Sequence, residues 1–196
     1  MPNGLARVIR VRCRRCTPMA TVGDTLRDYF REQGLPEGGG VDLAWVHFKI
    51  GPIPLAFPNI PARREAVLYH DVHHLVTGYQ TDWPGEAEIG SWEVASGCGR
   101  YWVAWLLNSS AIGFGLLLCP RRSYRAFLRG RHSRNLYREA YEPVLLEDID
   151  ALRKRLGLEQ ATPRATFLDV MAYLFWAAIG LAWMLLLPAA LWLVFR

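Results

Sequence analysis

The sequence predicts an all-α fold: a helical domain with one small β-hairpin near residues 41–57, followed by a C-terminal transmembrane helix. Three observations predict it. Apolar residues recur at helical spacing through much of the first 160 positions, bounded by Asn/Asp–x–Pro starts and glycine stops. Charge is segregated, with 22 of the 23 Lys and Arg and 17 of the 18 Asp and Glu in residues 1–166, and none in residues 170–195. The 196 residues are one domain's worth of chain, and their 52% hydrophobic content excludes intrinsic disorder. The expected organisation is a basic arm at 1–20, a helical domain at 21–165 and a membrane segment at 166–196.

Residues 1–22 carry five Arg and no acid. They lack the apolar core of about 7–15 residues that a secretory signal needs, and read as an arm able to touch anionic lipid. Cys13 and Cys16 form a C-x-x-C without a second pair at zinc-ribbon spacing. The four cysteines are too sparse in a chain of this length for a disulfide framework. Residues 21–33 form an amphipathic helix, with Val22, Leu26, Tyr29 and Phe30 on one side and Gly34 as its stop. Residues 41–57, rich in β-branched and aromatic side chains around Gly51-Pro52, form the hairpin.

Asn59-Ile60-Pro61 starts the next helix, with Asn59 as N-cap and Pro61 in the first turn, where its missing N–H costs nothing. That helix runs to Thr77 and stops at Gly78. Asp82-Trp83-Pro84 repeats the same start signal for a second helix. Residues 121–141 and 147–156 read as further basic amphipathic helices, the last closed by Gly157.

Two apolar runs differ in kind. Residues 172–195 are 24 positions without a charge, about 36 Å as a helix, enough for a hydrocarbon core of roughly 30 Å. Trp176, Trp183 and Trp192 suit interfacial levels, and Pro188 is tolerated in such a helix. Residues 101–119 are also long enough, but Asn108, Ser109 and Ser110 interrupt them at the middle. A single crossing there would separate two blocks of 11 basic residues each, against the positive-inside tendency. A buried or membrane-dipping helix avoids that conflict. The net charge of +5 is carried almost wholly by Arg and suits anionic headgroups; with the apolar tail, the membrane and not nucleic acid is the expected partner.

The chemistry concentrates between Tyr69 and Glu93. Spacing of four places His70 and His74 on one helix face, with Asp71 three residues before His74 on that face too. Glu86 follows early in the next helix. Two imidazoles and two carboxylates from an antiparallel helix pair suit Zn²⁺, or a non-haem Fe or Mn ion, so His70, Asp71, His74 and Glu86 are the candidate metal ligands. His73 points about 100° away from His74 and is read as a support or surface residue. Glu93, two turns after Glu86, is read as a supporting carboxylate or a proton-transfer group. Glu86 and Glu93 are the candidate catalytic residues.

The spacing H-D-x-x-H, eleven residues, then E resembles the hallmark of the ubiquinone (coenzyme Q) biosynthesis family known as Coq-four. Here it is His70, Asp71, His74 and Glu86. The surroundings Thr77-Gly78-Tyr79 and Gly85-Glu86 resemble that family as well. So do Gly130-Arg131-His132-Ser133-Arg134-Asn135-Leu136 and Leu152-Arg153-Lys154-Arg155-Leu156-Gly157, and the likeness covers roughly residues 21–160. It implies an all-helical fold, a bound metal ion and a membrane-associated role on prenylated quinone precursors. The family is linked to removal of the ring carboxyl at C1 with hydroxylation there. The apolar tail is a departure from the family core and marks a divergent member.

The expected function is therefore metal-dependent head-group modification in quinone biosynthesis. The expected partners are membrane lipid, a prenylated quinone precursor and other quinone-biosynthesis proteins, with oligomerisation allowed. The alternative is a non-catalytic organiser that binds prenyl lipid and uses the metal structurally. A metal-dependent lipid hydrolase ranks last, because no further His and Asp stand at suitable distances. The expected location is a bacterial inner membrane with the globular part cytoplasmic, or the matrix side of the mitochondrial inner membrane.

Overall fold

The computed structural model describes residues 20–34, 36–50, 53–161 and 163–194, so Cys13, Cys16 and the basic arm up to residue 19 lie outside the described residues. Helix α1 (Val22–Glu32) starts at Thr21, whose hydroxyl accepts from the Asp24 amide at 3.1 Å, and buries Val22, Leu26 and Phe30. A turn at Glu37–Gly40 follows, then strands β1 (Trp45–Ile50) and β2 (Ile53–Pro58), paired antiparallel with Ile50 opposite Ile53. The expected turn at Gly51-Pro52 lies outside the described residues.

Helix α2 (Pro61–Thr77) ends on Gly78 at φ 77°, a left-handed backbone that glycine adopts without strain. Its start corrects an expectation. Ile60 holds the cap position, and Asn59 is buried instead, its amide donating to the carbonyls of Val41 at 3.1 Å and Leu43 at 2.9 Å. Its Oδ1, the atom a cap would use, accepts from Arg63 Nη1 at 3.0 Å and from no helical amide.

Helix α3 (Trp83–Ser96) is capped by Asp82, which accepts from the Gly85 amide at 2.8 Å. Helix α4 (Trp102–Leu118) follows, then α5 (Pro120–Arg131), α6 (Tyr141–Leu145), α7 (Ile149–Arg155) and α8 (Phe167–Val194). The single helix expected over 121–141 is thus two short ones joined by residues 132–140. The break follows from burial: Leu136 and Tyr137 turn inward at 0% and 3% exposure, and a straight helix would carry them past the core.

α3 packs between α4 and α5, α8 lies along α4, and α2 rests on α1, α4 and α7. Trp92, Ile89, Phe127 and Ile112 fill the centre. Where α4 meets α8 the two backbones almost touch. A Cβ on Gly180 would overlap the Ser109 carbonyl, and Trp105 stacks on Trp176 with centroids 5.1 Å apart. Residues Phe167–Leu186 of α8 are long and apolar enough to cross a membrane, and only 22% of their most apolar stretch is buried, unlike a core helix. α4, at 17 residues, spans about 26 Å and packs against α3 on one side and α8 on another.

Candidate metal centre

One turn of α2 sets His70 above His74, and the capped start of α3 brings Glu86 to both. The His70 and His74 rings meet edge to face, with centroids 4.7 Å apart and Nε2 atoms at 3.1 Å. Glu86 places Oε2 at 3.5 Å from His70 Nε2 and Oε1 at 3.4 Å from His74 Nε2. A tetrahedral ion with bonds near 2.05 Å separates its ligand atoms by roughly 3.3 Å, close to the distance between the two Nε2 atoms and to the distance from each of them to one of the two Glu86 oxygens.

The other ring nitrogens explain why. His70 Nδ1 donates to Glu93 Oε1 at 3.0 Å, and His74 Nδ1 donates to the Tyr79 carbonyl at 3.0 Å. Both acceptors lack a hydrogen, so the proton of each neutral ring sits on Nδ1. Two bare Nε2 lone pairs then face each other beside a carboxylate. That arrangement is repulsive unless a cation or a proton lies between them, and it is how metal-binding histidines are commonly oriented. Burial alone would raise the Glu86 carboxyl, but hydrogen bonds and charge from His70 and His74 outweigh it and hold it at about 2. Burial would lower His70, yet Glu93 and Glu86 together carry it well above its ordinary value.

Asp71 stands next to this group and outside it: His70, His74 and Glu86 offer their ligand atoms within 4.8 Å of one another, and Asp71 is not among them. Its Oδ2 is buried without a hydrogen-bond partner, and burial pushes its carboxyl up to about 6 against the pull of His70, His74 and Arg63. The Gly39 backbone covers it so closely that a Cβ there would collide with Oδ2. An orphaned buried carboxylate oxygen beside two bare imidazole nitrogens fits a cation held in this part of the fold.

Glu93 sits behind His70 at 0% exposure. It accepts from His70, from His73 Nδ1 at 2.6 Å, from the Tyr137 hydroxyl at 2.8 Å and from the Asn108 amide. Burial pushes this carboxyl up, and His70 and His73 more than reverse that, holding it below the usual carboxylate range. His73 is neutral by geometry, since its Nε2 accepts the Leu136 amide at 3.0 Å, and burial lowers its pKa. The sequence reading missed Tyr137 and gave His73 and Asn108 no place beside Glu93. Asn108 did carry a signal, as a polar residue in the middle of an apolar run.

A cleft of about 180 Å³ opens beside the group, lined by His70, Glu86, Arg63, Ala104, Leu107 and Tyr137 among others. A larger hollow of about 870 Å³, around Tyr69, Tyr101 and Tyr141, contains none of the three ligand residues. Comparison of the chain with protein-family models, with curated proteins and with solved structures finds no match to any of the three.

Proposed function

We propose that this protein is a metal-dependent member of the Coq-four family of ubiquinone biosynthesis, acting on the C1 carboxyl of a prenylated quinone precursor at the membrane. The observation that carries the reading is the convergence of His70 Nε2 and His74 Nε2, 3.1 Å apart, on the Glu86 carboxylate, whose Oε2 lies 3.5 Å from the first and whose Oε1 lies 3.4 Å from the second. These three would hold the ion, with Asp71 beside them. Two histidines and a glutamate are a donor set of catalytic zinc sites, which puts Zn²⁺ first and Fe or Mn second. A divalent ion bound there supplies a Lewis acid for a ring carboxylate or phenolate oxygen.

The remaining work belongs to the chain. Glu93 fixes the ring plane and tautomer of His70, and the Tyr79 carbonyl does the same for His74. His70 and Glu86 both line the cleft, and Glu86, whose side chain is 37% exposed, is the more accessible of the two to a substrate. α8 anchors the domain in the membrane, and the basic residues ahead of it favour the cytoplasmic or matrix side. Other proteins of the same pathway are the expected partners.

Two measurements on one strain test this. Metal analysis of the purified protein should find about one divalent ion per chain, lost in the His70→Ala, His74→Ala double variant. A deletion strain should lack quinone and accumulate a precursor that still carries the ring carboxyl. Full metal occupancy in the double variant, or normal quinone in the deletion strain, would sink the proposal.

A further inference from the structure

The cleft beside the candidate metal centre has one arginine in its wall that grips no carboxylate directly, although Asp71 on the same helix acts on it electrostatically. Arg63 lies on α2, two turns before His70, half-buried at the cleft wall. Its guanidinium is held from two sides: Nη1 donates to Asn59 Oδ1 at 3.0 Å, and Cζ lies 5.7 Å from the centroid of the Phe57 ring. Arg122, Arg131, Arg153 and Arg155 each grip a carboxylate. Arg63 makes no ion pair among the described residues.

A half-buried guanidinium whose planar fork is already fixed in place is preorganised for a planar oxyanion. The rest of the cleft wall is apolar, with Ala66, Val103, Ala104 and Leu107 on α2 and α4, and Leu107 is 44% exposed. At about 180 Å³ the space is below the ~300–1,000 Å³ that encloses a drug-sized ligand, so it takes a head group and leaves a tail outside. The cleft's other polar groups are engaged: Tyr137 and Asn108 both donate to Glu93, and His70 and Glu86 face each other in the candidate metal centre.

We infer that Arg63 is the head-group anchor of this site, gripping the carboxylate of an amphiphile whose apolar tail leaves along the exposed side of α4. The inference rests on the proposed function for the identity of the site and deepens it by naming the group that selects the ligand. Arg63 also braces Asn59, which ties down the loop before β1. A purely structural role would therefore move stability and leave head-group preference unchanged.

The test uses the full chain in detergent, both zinc-loaded and stripped by chelation. The probes are 4-heptylbenzoate, its neutral amide and 4-heptylphenyl phosphate, with binding read by calorimetry. The wild type should bind the benzoate at least tenfold more tightly than the amide in both forms. Arg63→Gln should erase that preference in the stripped protein while its circular dichroism is unchanged, and Arg63→Lys should keep only part of it. Full preference in a folded Arg63→Gln protein, no binding of either probe to wild type, or a preference for the phosphate would each overturn the inference. If Arg63→Gln does not fold, Arg63→Lys decides, with an undiminished preference counting against it. Absence of bound metal would defeat the proposed function and leave the stripped-protein preference standing, so the two failures are separable.

Discussion

Nδ1 of His73 donates to Oε1 of Glu93 at 2.6 Å, and neither side chain has any exposure to solvent. A carboxylate at that depth is tolerated because four donors converge on it. Removing the acceptor strands them all. Glu93→Leu should therefore cost about 3–5 kcal/mol, the usual result of deleting one side of a buried charged network. Glu93→Gln should cost less and still weaken metal binding, because its amide turns an N–H toward His70 or His73. Thermal unfolding of the full chain in detergent, with metal content measured in parallel, checks both. A Glu93→Leu protein as stable as wild type would contradict the geometry.

Stability of the metal-free protein should depend on pH from both sides. Glu86 and Glu93 have folded values below the ordinary 4.5, so their contribution is present above that pH and fades as pH falls below it. His70 is raised above its ordinary 6.5, so its contribution is present below 6.5 and fades as pH climbs toward the folded value. The metal-free form should be most stable between about pH 4.5 and 6.5. Loading with zinc should move the maximum upward, because the ion needs the nitrogen that the proton occupied. Melting temperatures from pH 4 to 9 with and without zinc test this, and identical profiles would count against a shared site.

Glu86→Gln separates chemistry from organisation. It keeps the size and one acceptor oxygen and removes the charge. It should weaken metal binding about tenfold or more, in line with the loss of a ligand-shell charge, and abolish complementation of a quinone-deficient strain. Normal quinone levels from a stable Glu86→Gln protein would favour the organiser.

Truncation after Pro163 removes α8 and should release the protein from membranes in high salt. It also uncovers Trp105 and Gly113, so the truncated chain needs mild detergent to stay dispersed. Full membrane retention would transfer the anchoring role to α4. Gly180→Val in the intact chain should lower the melting temperature by several degrees, since even a Cβ there overlaps the Ser109 carbonyl.

The parts of the site that were legible in the sequence are local ones. His70 and His74 declare their shared face by a spacing of four, and Gly78 and Asp82 mark the end of one helix and the start of the next. Glu86 follows from those two boundaries. Tyr137 and Leu136 were not legible, being 44 and 63 residues from the partners they meet. Helical periodicity runs through that stretch without showing where the chain folds back. Asn59 misled for a related reason. A cap signal describes what a side chain can do for its own helix, and it says nothing of a guanidinium that occupies the capping oxygen or of loop carbonyls that take the amide hydrogens.

Asn108, which steadies Glu93, and Ser109, against which Gly180 is pressed, are consecutive residues of α4. The apolar C-terminal helix is therefore no leash from which the domain dangles. It is bolted to the beam that carries the histidine support, and in the proposed setting the centre keeps a constant height and tilt over the bilayer. A substrate drawn from that bilayer would meet the site at one fixed depth, and the length of its tail, not the swing of the domain, would determine what arrives.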